Sequence, residues 1–212
     1  MKDKLEHQRQ GLFISFEGVD GSGKTTQANM LIAHLIKKGI EVLATREPGG
    51  TRIGGLIRDI LLDPALEEMT PMTEALLYAA DRAQHVSEVI RPALKRGVIV
   101  VSDRYIDSSL AYQGVARSLG LEGVRNLNEW ATGELYPDIT FLLKVPYEVG
   151  LKRLPAGRQD RMEKQNKFFF QEVQEAYLTL SKFFSRRMVV LNGEEKPDVI
   201  HHQVMEEVER HL

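Results

Sequence analysis

The chain has 212 residues, with 28 lysines and arginines against 30 acids and no cysteine. Its net charge of −2 excludes the global basic field of a nucleic-acid binder, and the missing thiols exclude disulfides, cysteine nucleophiles and thiolate metal sites, as suits a reducing cytoplasm. No apolar run approaches the roughly 18 residues that span a bilayer, so a soluble protein with no membrane partner is expected.

Residues 1–10 are charged and polar without an apolar segment, which reads as a disordered leader, and 11–212 as a single domain. The apolar run 12–16 predicts a strand. Directly after it, Gly18-Val19-Asp20-Gly21-Ser22-Gly23-Lys24-Thr25 has the G-x-x-x-x-G-K-[ST] form of a phosphate-binding loop. A helix over 24–38 follows, with Ala28, Leu31, Ile32 and Leu35 on one face. Strand, glycine-rich turn and helix N-terminus give that spelling a mechanism, because backbone N–H groups can wrap a phosphate and the helix dipole favours the anion. Gly18 to Thr26 is therefore expected to bind a nucleoside triphosphate, with Lys24 charging its β- and γ-phosphates and the Thr25 hydroxyl on Mg²⁺.

A second strand, 41–45, runs into Arg46-Glu47-Pro48-Gly49-Gly50-Thr51. Pro48 stiffens the turn, the glycines permit close backbone approach, and Thr51 caps a helix over 51–62. A turn alone does not explain Arg46, which stands at a strand's C-terminal end, where open α/β sheets bind ligands. A long helix is predicted over 72–96, with an apolar stripe of Leu76, Ala79, Ala83, Val86 and Ile90. Tyr78 and Arg82 lie four apart on a different face; they are either a surface contact or, stacking and donating together, a nucleobase site. The excursion 46–97 exceeds a simple crossover and is expected to carry an acceptor site.

The third strand, 98–102, ends in Asp103-Arg104-Tyr105, followed by Ser108, Ser109, Tyr112 and Gln113. A carboxylate there matches the Walker-B role of holding Mg²⁺, and Arg104 can fork onto a phosphate; the rival reading is a buried Asp–Arg pair. A helix over 121–132, a strand over 139–145 and a helix over 148–153 lead into the segment 150–168. Between 152 and 167 it sets Lys152, Arg153, Arg158, Arg161, Lys164 and Lys167 against Asp160 and Glu163, a local +4, with Pro155 and Gly157 as breaks. The default reading is a solvated basic face, but such a concentration in a chain of net −2 suggests a mobile lid closing over phosphates. A helix over 166–185, a strand over 188–192 and a helix over 198–211 complete the chain, and the six histidines show no ligand spacing. Alternating strands and helices predict an α/β fold of the three-layer P-loop NTPase type, with a parallel five-stranded sheet and helices on both faces.

Phe16 to Gln27, Arg46 to Thr51, Asp103-Arg104-Tyr105 and Ala111-Tyr112-Gln113-Gly114, in that order and spacing, resemble bacterial thymidylate kinases from Leu12 onward. The resemblance implies a nucleoside monophosphate kinase domain that uses Mg²⁺ and moves a phosphoryl group from ATP to dTMP as a homodimer. It implies that Asp20 contacts the sugar 3′-hydroxyl and the Mg²⁺ region, that Arg46 and Arg104 hold the acceptor phosphate, and that Tyr78 stacks on thymine. Arg82 would reach thymine O4 and Ser109 the base edge, with Pro48, Gln113 and Glu163 also at the acceptor. Tyr112 would lie under the deoxyribose and crowd out a 2′-hydroxyl. The chain also resembles the subgroup without an arginine in the phosphate loop, whose catalytic arginines lie in the lid. Here those are Arg153, Arg158 and Arg161, with Arg158 or Arg161 expected ahead of Arg153, which looks like a helix end. Lys144 departs from the acid common at its position, and Leu154-Pro155-Ala156-Gly157 from arginine-rich lids.

The rivals are another nucleoside monophosphate kinase, a nucleotide-dependent switch protein and a binding-only relic. The Tyr78/Arg82/Ser109/Tyr112 set argues against the first, and the absence of an Asn-Lys-x-Asp guanine-reading motif argues against a GTPase switch. The third is disfavoured by the joint presence of Lys24, Thr25, Asp103 and the lid arginines.

Overall fold

The structure, a computed structural model, describes residues 11–154 and 160–212. The expected leader (1–10) and Arg158 lie outside the described residues. Five strands form an all-parallel sheet: β1 (Phe13–Glu17), β2 (Val42–Arg46), β3 (Ile99–Asp103), β4 (Ile139–Lys144) and β5 (Met188–Asn192). Their order is β2-β3-β1-β4-β5, so β1 lies between β3 and β4, and each expected strand is present to within one residue at either end. The chain leaves β1 toward one side of the sheet and returns on the other, which opens a crevice at the C-terminal ends of β1 and β3.

Alternation along β1 divides its residues between two cores. Ile14 and Phe16 pack with Leu31 and Leu35 of α1 (Lys24–Lys37) and with Val204 and Val208 of α9 (Pro197–Glu209). Phe13 points the other way, against Val86, Ile90 and Tyr105. Ser15 and Glu17 share that second face, where Ser15 Oγ meets Thr140 Oγ1 at 2.8 Å. A fully buried aliphatic or phenyl side chain contributes roughly 1.5–3 kcal/mol, so these layers dominate the fold's stability.

α2 (Arg52–Leu62) starts at Thr51, whose hydroxyl accepts from Gly54 N at 2.9 Å as the sequence predicts. α3 (Pro71–His85) runs through a π-helical stretch (Val86–Ile90) into α4 (Arg91–Lys95), covering the long predicted helix. Of the expected apolar stripe, Ala79, Val86 and Ile90 are buried and Ala83 is half-buried, but Leu76 is 50% exposed, and the buried face of α3 also carries Glu74, Ala75, Asp81, Arg82 and His85. Those polar groups sit inside because partners from other elements satisfy them, and helical periodicity cannot report such partners.

Sequence patterning gave no helix after β3, but α5 (Ile106–Ser109) and a π-helical continuation (Leu110–Ala116) are present. Ser108, Ser109 and Gly114 are weak helix formers, so packing against α8 (Lys167–Phe183) rather than local propensity stabilises this element. α6 (Leu121–Thr132) and α7 (Tyr147–Arg153) match their predicted ranges within a residue.

Candidate active site

Two cavities meet at the C-terminal edge of the sheet. The larger, about 550 Å³, is lined by the phosphate loop from Asp20 to Thr26, by Arg46, Asp103 and Arg104, and by Arg153, Gly193 and Pro197. The smaller, about 100 Å³, is lined by Pro48, Tyr78, Arg82, Ser109, Tyr112 and Gln113 among others. Asp20, Glu47, Arg58 and Arg104 line both, so they form the junction.

Glycine is required at two points of the phosphate loop. Gly23, the residue before α1, has φ 101°, and Gly21 has φ 73°. A Cβ on Gly21 would fall 2.1 Å from the Gly150 carbonyl oxygen, because α7 packs directly on the loop. No arginine therefore fits at position 21. Gly18 and Val19 form the base of the loop and not the cavity wall; the Val19 carbonyl accepts from Lys24 Nζ at 2.9 Å. Thr25 Oγ1 donates to Asp103 Oδ2 at 2.5 Å, which brings together two of the three residues expected at Mg²⁺, the third being Asp20.

Asp20 bonds elsewhere. Its Oδ1 accepts from Arg104 Nη2 at 2.6 Å and lies 3.6 Å from Lys24 Nζ. Burial would raise its pKa, but Arg104 and Lys24 outweigh burial and hold the carboxyl well below the usual range. Burial and the Arg104 charge lower the Lys24 pKa, opposed by Asp20 and Asp103. Arg104 itself has φ 72° in the left-handed region, a strained conformation for a side-chain-bearing residue.

Arg82 is 1% exposed, so the surface Tyr–Arg contact considered from the sequence does not exist. Nε donates to Glu47 Oε2 at 2.7 Å, Nη1 to Ser109 Oγ at 2.9 Å and to Asn128 Oδ1, and Nη2 to the Tyr105 carbonyl at 3.2 Å. A guanidinium has five N–H donors, so one remains for a ligand at the cavity. Glu47 also receives His85 Nδ1 at 2.9 Å, and Asp81 Oδ1 receives Gly49 N at 3.0 Å. Burial and the neighbouring Glu47 push Asp81 up to about 6. This network ties the 46–50 turn to α3. Tyr112 is 6% exposed with an unpartnered buried hydroxyl, and its ring lies 5.4 Å from the Arg104 guanidinium carbon. Gln113, in the wall of the small cavity, is anchored by Nε2 donating to Glu74 Oε1 at 2.8 Å. Arg46 is exposed at the edge of the large cavity.

The lid residues redistribute most. Arg161 is 5% exposed; Nη1 donates to Glu74 Oε2 at 2.7 Å and Nε to the Leu61 carbonyl at 2.8 Å, so its charge is neutralised internally instead of facing a phosphate. Lys164 pairs with Glu67 and Lys167 with Glu148. Arg153, expected last, is the lid arginine among the described residues that reaches the large cavity. Its Nη1 donates to the Gly193 carbonyl at 2.9 Å and approaches the Gly21 carbonyl at 3.5 Å. The expected Glu163 accepts from Asp160 N at 3.1 Å, and Asp160 rather than Glu163 joins Asp20 and Glu47 in lining the small cavity.

Arg58, the Glu47–His85 pair and Glu17 were missed. Arg58 lines both cavities and donates to the Pro48 carbonyl at 2.8 Å; on an amphipathic helix it reads as a solvated charge. The Glu47–His85 pair joins residues 38 apart, beyond any local pattern. Glu17, wholly buried, has its pKa pushed up to about 7 by burial and then by Asp107, opposed by Arg104. A carboxylate ending an apolar strand was its one sequence signal.

A family model described as thymidylate kinase matches residues 16–204. Relatives called thymidylate kinase include one from Lactobacillus acidophilus, 46% identical over 207 residues, covering 96% of this chain and 96% of the relative. Another, from Caldanaerobacter subterraneus subsp. tengcongensis, is 48% identical over 203 residues, covering 96% and 97%. The crystal structure of a thymidylate kinase from Ehrlichia chaffeensis matches with TM-score 0.78 and 30% identity over 93% of this chain and 98% of that one.

Proposed function

The chain belongs to the thymidylate kinase family, and from that premise we propose how its residues transfer the γ-phosphoryl of ATP to dTMP, giving dTDP and ADP. The observation that carries the reading is the junction of the two cavities at Asp20, Arg58 and Arg104, where a donor on the phosphate loop and an acceptor against Tyr78 and Arg82 would present their phosphates to each other. Aligned reactants can account for a large share of such a reaction's barrier. The attacking phosphate oxygen, with a second pKa of about 6, is already ionised at neutral pH, so no general base is needed.

Arg104, Arg58 and Arg46 hold the acceptor phosphate, and Tyr78 stacks on the base. The one free N–H of Arg82 donates to thymine O4. Tyr112 fills the volume a 2′-hydroxyl would need. Lys24 leaves the Val19 carbonyl for the donor phosphates, and Arg153 neutralises charge on the transferring group, with Arg158 as the other candidate. Thr25 and Asp103, one hydroxyl and one carboxylate already in contact, are the sparse hard-oxygen set suited to a Mg²⁺ shared with phosphates. Mg²⁺ bound there would neutralise the β- and γ-phosphate oxygens.

We also propose a homodimer. Ile53, Leu56 and Ile60 on α2 are 42–59% exposed, and Met72 and Leu76 on the adjacent α3 are 54% and 50% exposed, an apolar surface suited to a second copy. None of the helices among the described residues is long and apolar enough to cross a membrane. We assign the enzyme to the cytoplasm, with its nucleotide substrates. The test is ADP release from ATP in a coupled assay: it should depend on added dTMP and be abolished by Lys24→Ala, and release independent of dTMP would contradict the proposal.

A further inference from the structure

Glu17 has no part in the chemistry described above, yet it is wholly buried directly beneath the junction of the two cavities. Its Oε1 accepts from Tyr105 N at 2.7 Å. Its Oε2 accepts from Ser108 Oγ at 2.6 Å and from Tyr177 Oη at 2.9 Å. The same two hydroxyl oxygens face Arg104, whose Nη1 lies 3.1 Å from Ser108 Oγ and 3.4 Å from Tyr177 Oη. Each hydroxyl has one proton, and a carboxylate can only accept. The two hydroxyls also lie 2.9 Å from each other; with Glu17 ionised and both protons turned to it rather than shared across that contact, both oxygens offer lone pairs to the guanidinium. The backbone is held as well, since Glu17 fixes the amide immediately after Arg104, while Arg104 N donates to the Phe16 carbonyl at 2.9 Å and Ser102 Oγ to the Arg104 carbonyl at 2.7 Å. A left-handed, strained Arg104 persists only where its surroundings over-determine it.

We infer that Glu17 is a positioning residue for phosphoryl transfer, a proton acceptor that orients the Ser108 and Tyr177 hydroxyls so that Arg104 is aimed at the acceptor phosphate. The inference rests on the assignment of Arg104 to that phosphate. It gives a specific role to the charge and not to the volume of residue 17. In Glu17→Gln the shape is kept, but the amide now donates two protons toward the hydroxyls. At least one hydroxyl proton must then turn toward Arg104 and displace its hydrogen bond.

The experiment is steady-state kinetics with dTMP and ATP on Glu17→Gln, Arg104→Ala and the double variant, with melting temperatures to verify folding. Glu17→Gln should lower kcat/KM for dTMP by about tenfold or more while the KM for ATP stays within about twofold. In the Arg104→Ala background the same change should alter kcat/KM by less than about twofold, because the residue through which it acts is gone. An equal loss in both backgrounds, or a parent-like single variant, overturns the inference. If Arg104→Ala is itself nearly silent, the assignment of Arg104 fails as well, and the two failures remain distinct. Should Glu17→Gln not fold, Tyr177→Phe removes one hydroxyl from the relay and leaves Glu17 in place. A smaller loss that again vanishes without Arg104 supports the relay, and no loss or an additive one overturns it.

Discussion

In the proposed acceptor cavity, about 100 Å³, polar wall groups are already bonded to one another or to residues behind the wall: Arg82 to Glu47, Ser109 and Asn128, and Gln113 to Glu74. The phosphate-loop cavity is about 550 Å³, and its charged groups rest on carbonyls that a phosphate can replace, Lys24 on Val19 and Arg153 on Gly193. A wall of satisfied, buried groups can discriminate, because a wrong ligand leaves one of them unpaired. A wall of cations and backbone N–H groups recognises phosphate and little else. Selectivity should therefore be steep across acceptors and shallow across donors, and variants on the two sides should fail in different ways.

The largest effect should follow loss of donor-side charge. Lys24→Ala is expected to lower kcat by about 10²-fold or more with the fold retained, which kinetics and a thermal melt together would establish. Turnover within about tenfold of the parent would remove Lys24 from the transition state.

The lid arginines separate the two halves further. Arg153→Ala should reduce kcat strongly and stability little, whereas Arg161→Ala should reduce stability by about 3 kcal/mol or more, because it leaves Glu74 with one fewer counter-charge in the interior. Denaturant melts and kcat measured on both variants check this. The reverse pattern would return Arg161 to the phosphates. Arg82→Ala comes next: it should raise the KM for dTMP, blunt the preference for dTMP over dCMP and leave the KM for ATP unchanged. An undiminished base preference would make Arg82 purely structural.

The smallest effect is on pH dependence. Asp81 titrates near 6 when folded against 3.8 ordinarily, so the folded state binds its proton more tightly. Stability from this group is complete below the ordinary value and is lost as pH rises through about 6. The stability of Asp81→Asn should fall less than that of the parent between about pH 4 and 6, and parallel curves would refute the shift.

Much of this was legible in the sequence, for local reasons. The five strands are short apolar runs bounded by turn residues, and the phosphate loop is spelled in eight consecutive positions. The acceptor network was not, because its bonds join Arg82 to residues 27, 35 and 46 positions away, and periodicity placed Leu76 in the core where Arg82 and His85 belong. The lid misled for a related reason: a run of cations announces its charge but not its partners, and Glu74, Glu67 and Glu148 neutralise three of them. The weak helix formers after β3 likewise gave no sign of α5, which tertiary packing stabilises.

The central claim is that the small cavity, with most of its polar wall groups already bonded, selects its nucleotide. Its most direct test is kcat/KM measured by coupled ADP release over dTMP, dUMP, UMP, dCMP, AMP and GMP at fixed ATP. The account predicts dTMP first, dUMP lower by the one lost methyl contact, worth roughly 1–3 kcal/mol, and the ribonucleotides lowest because Tyr112 occupies the 2′ position. A parent enzyme that turns over UMP as well as dUMP, or dCMP as well as dTMP, would contradict it.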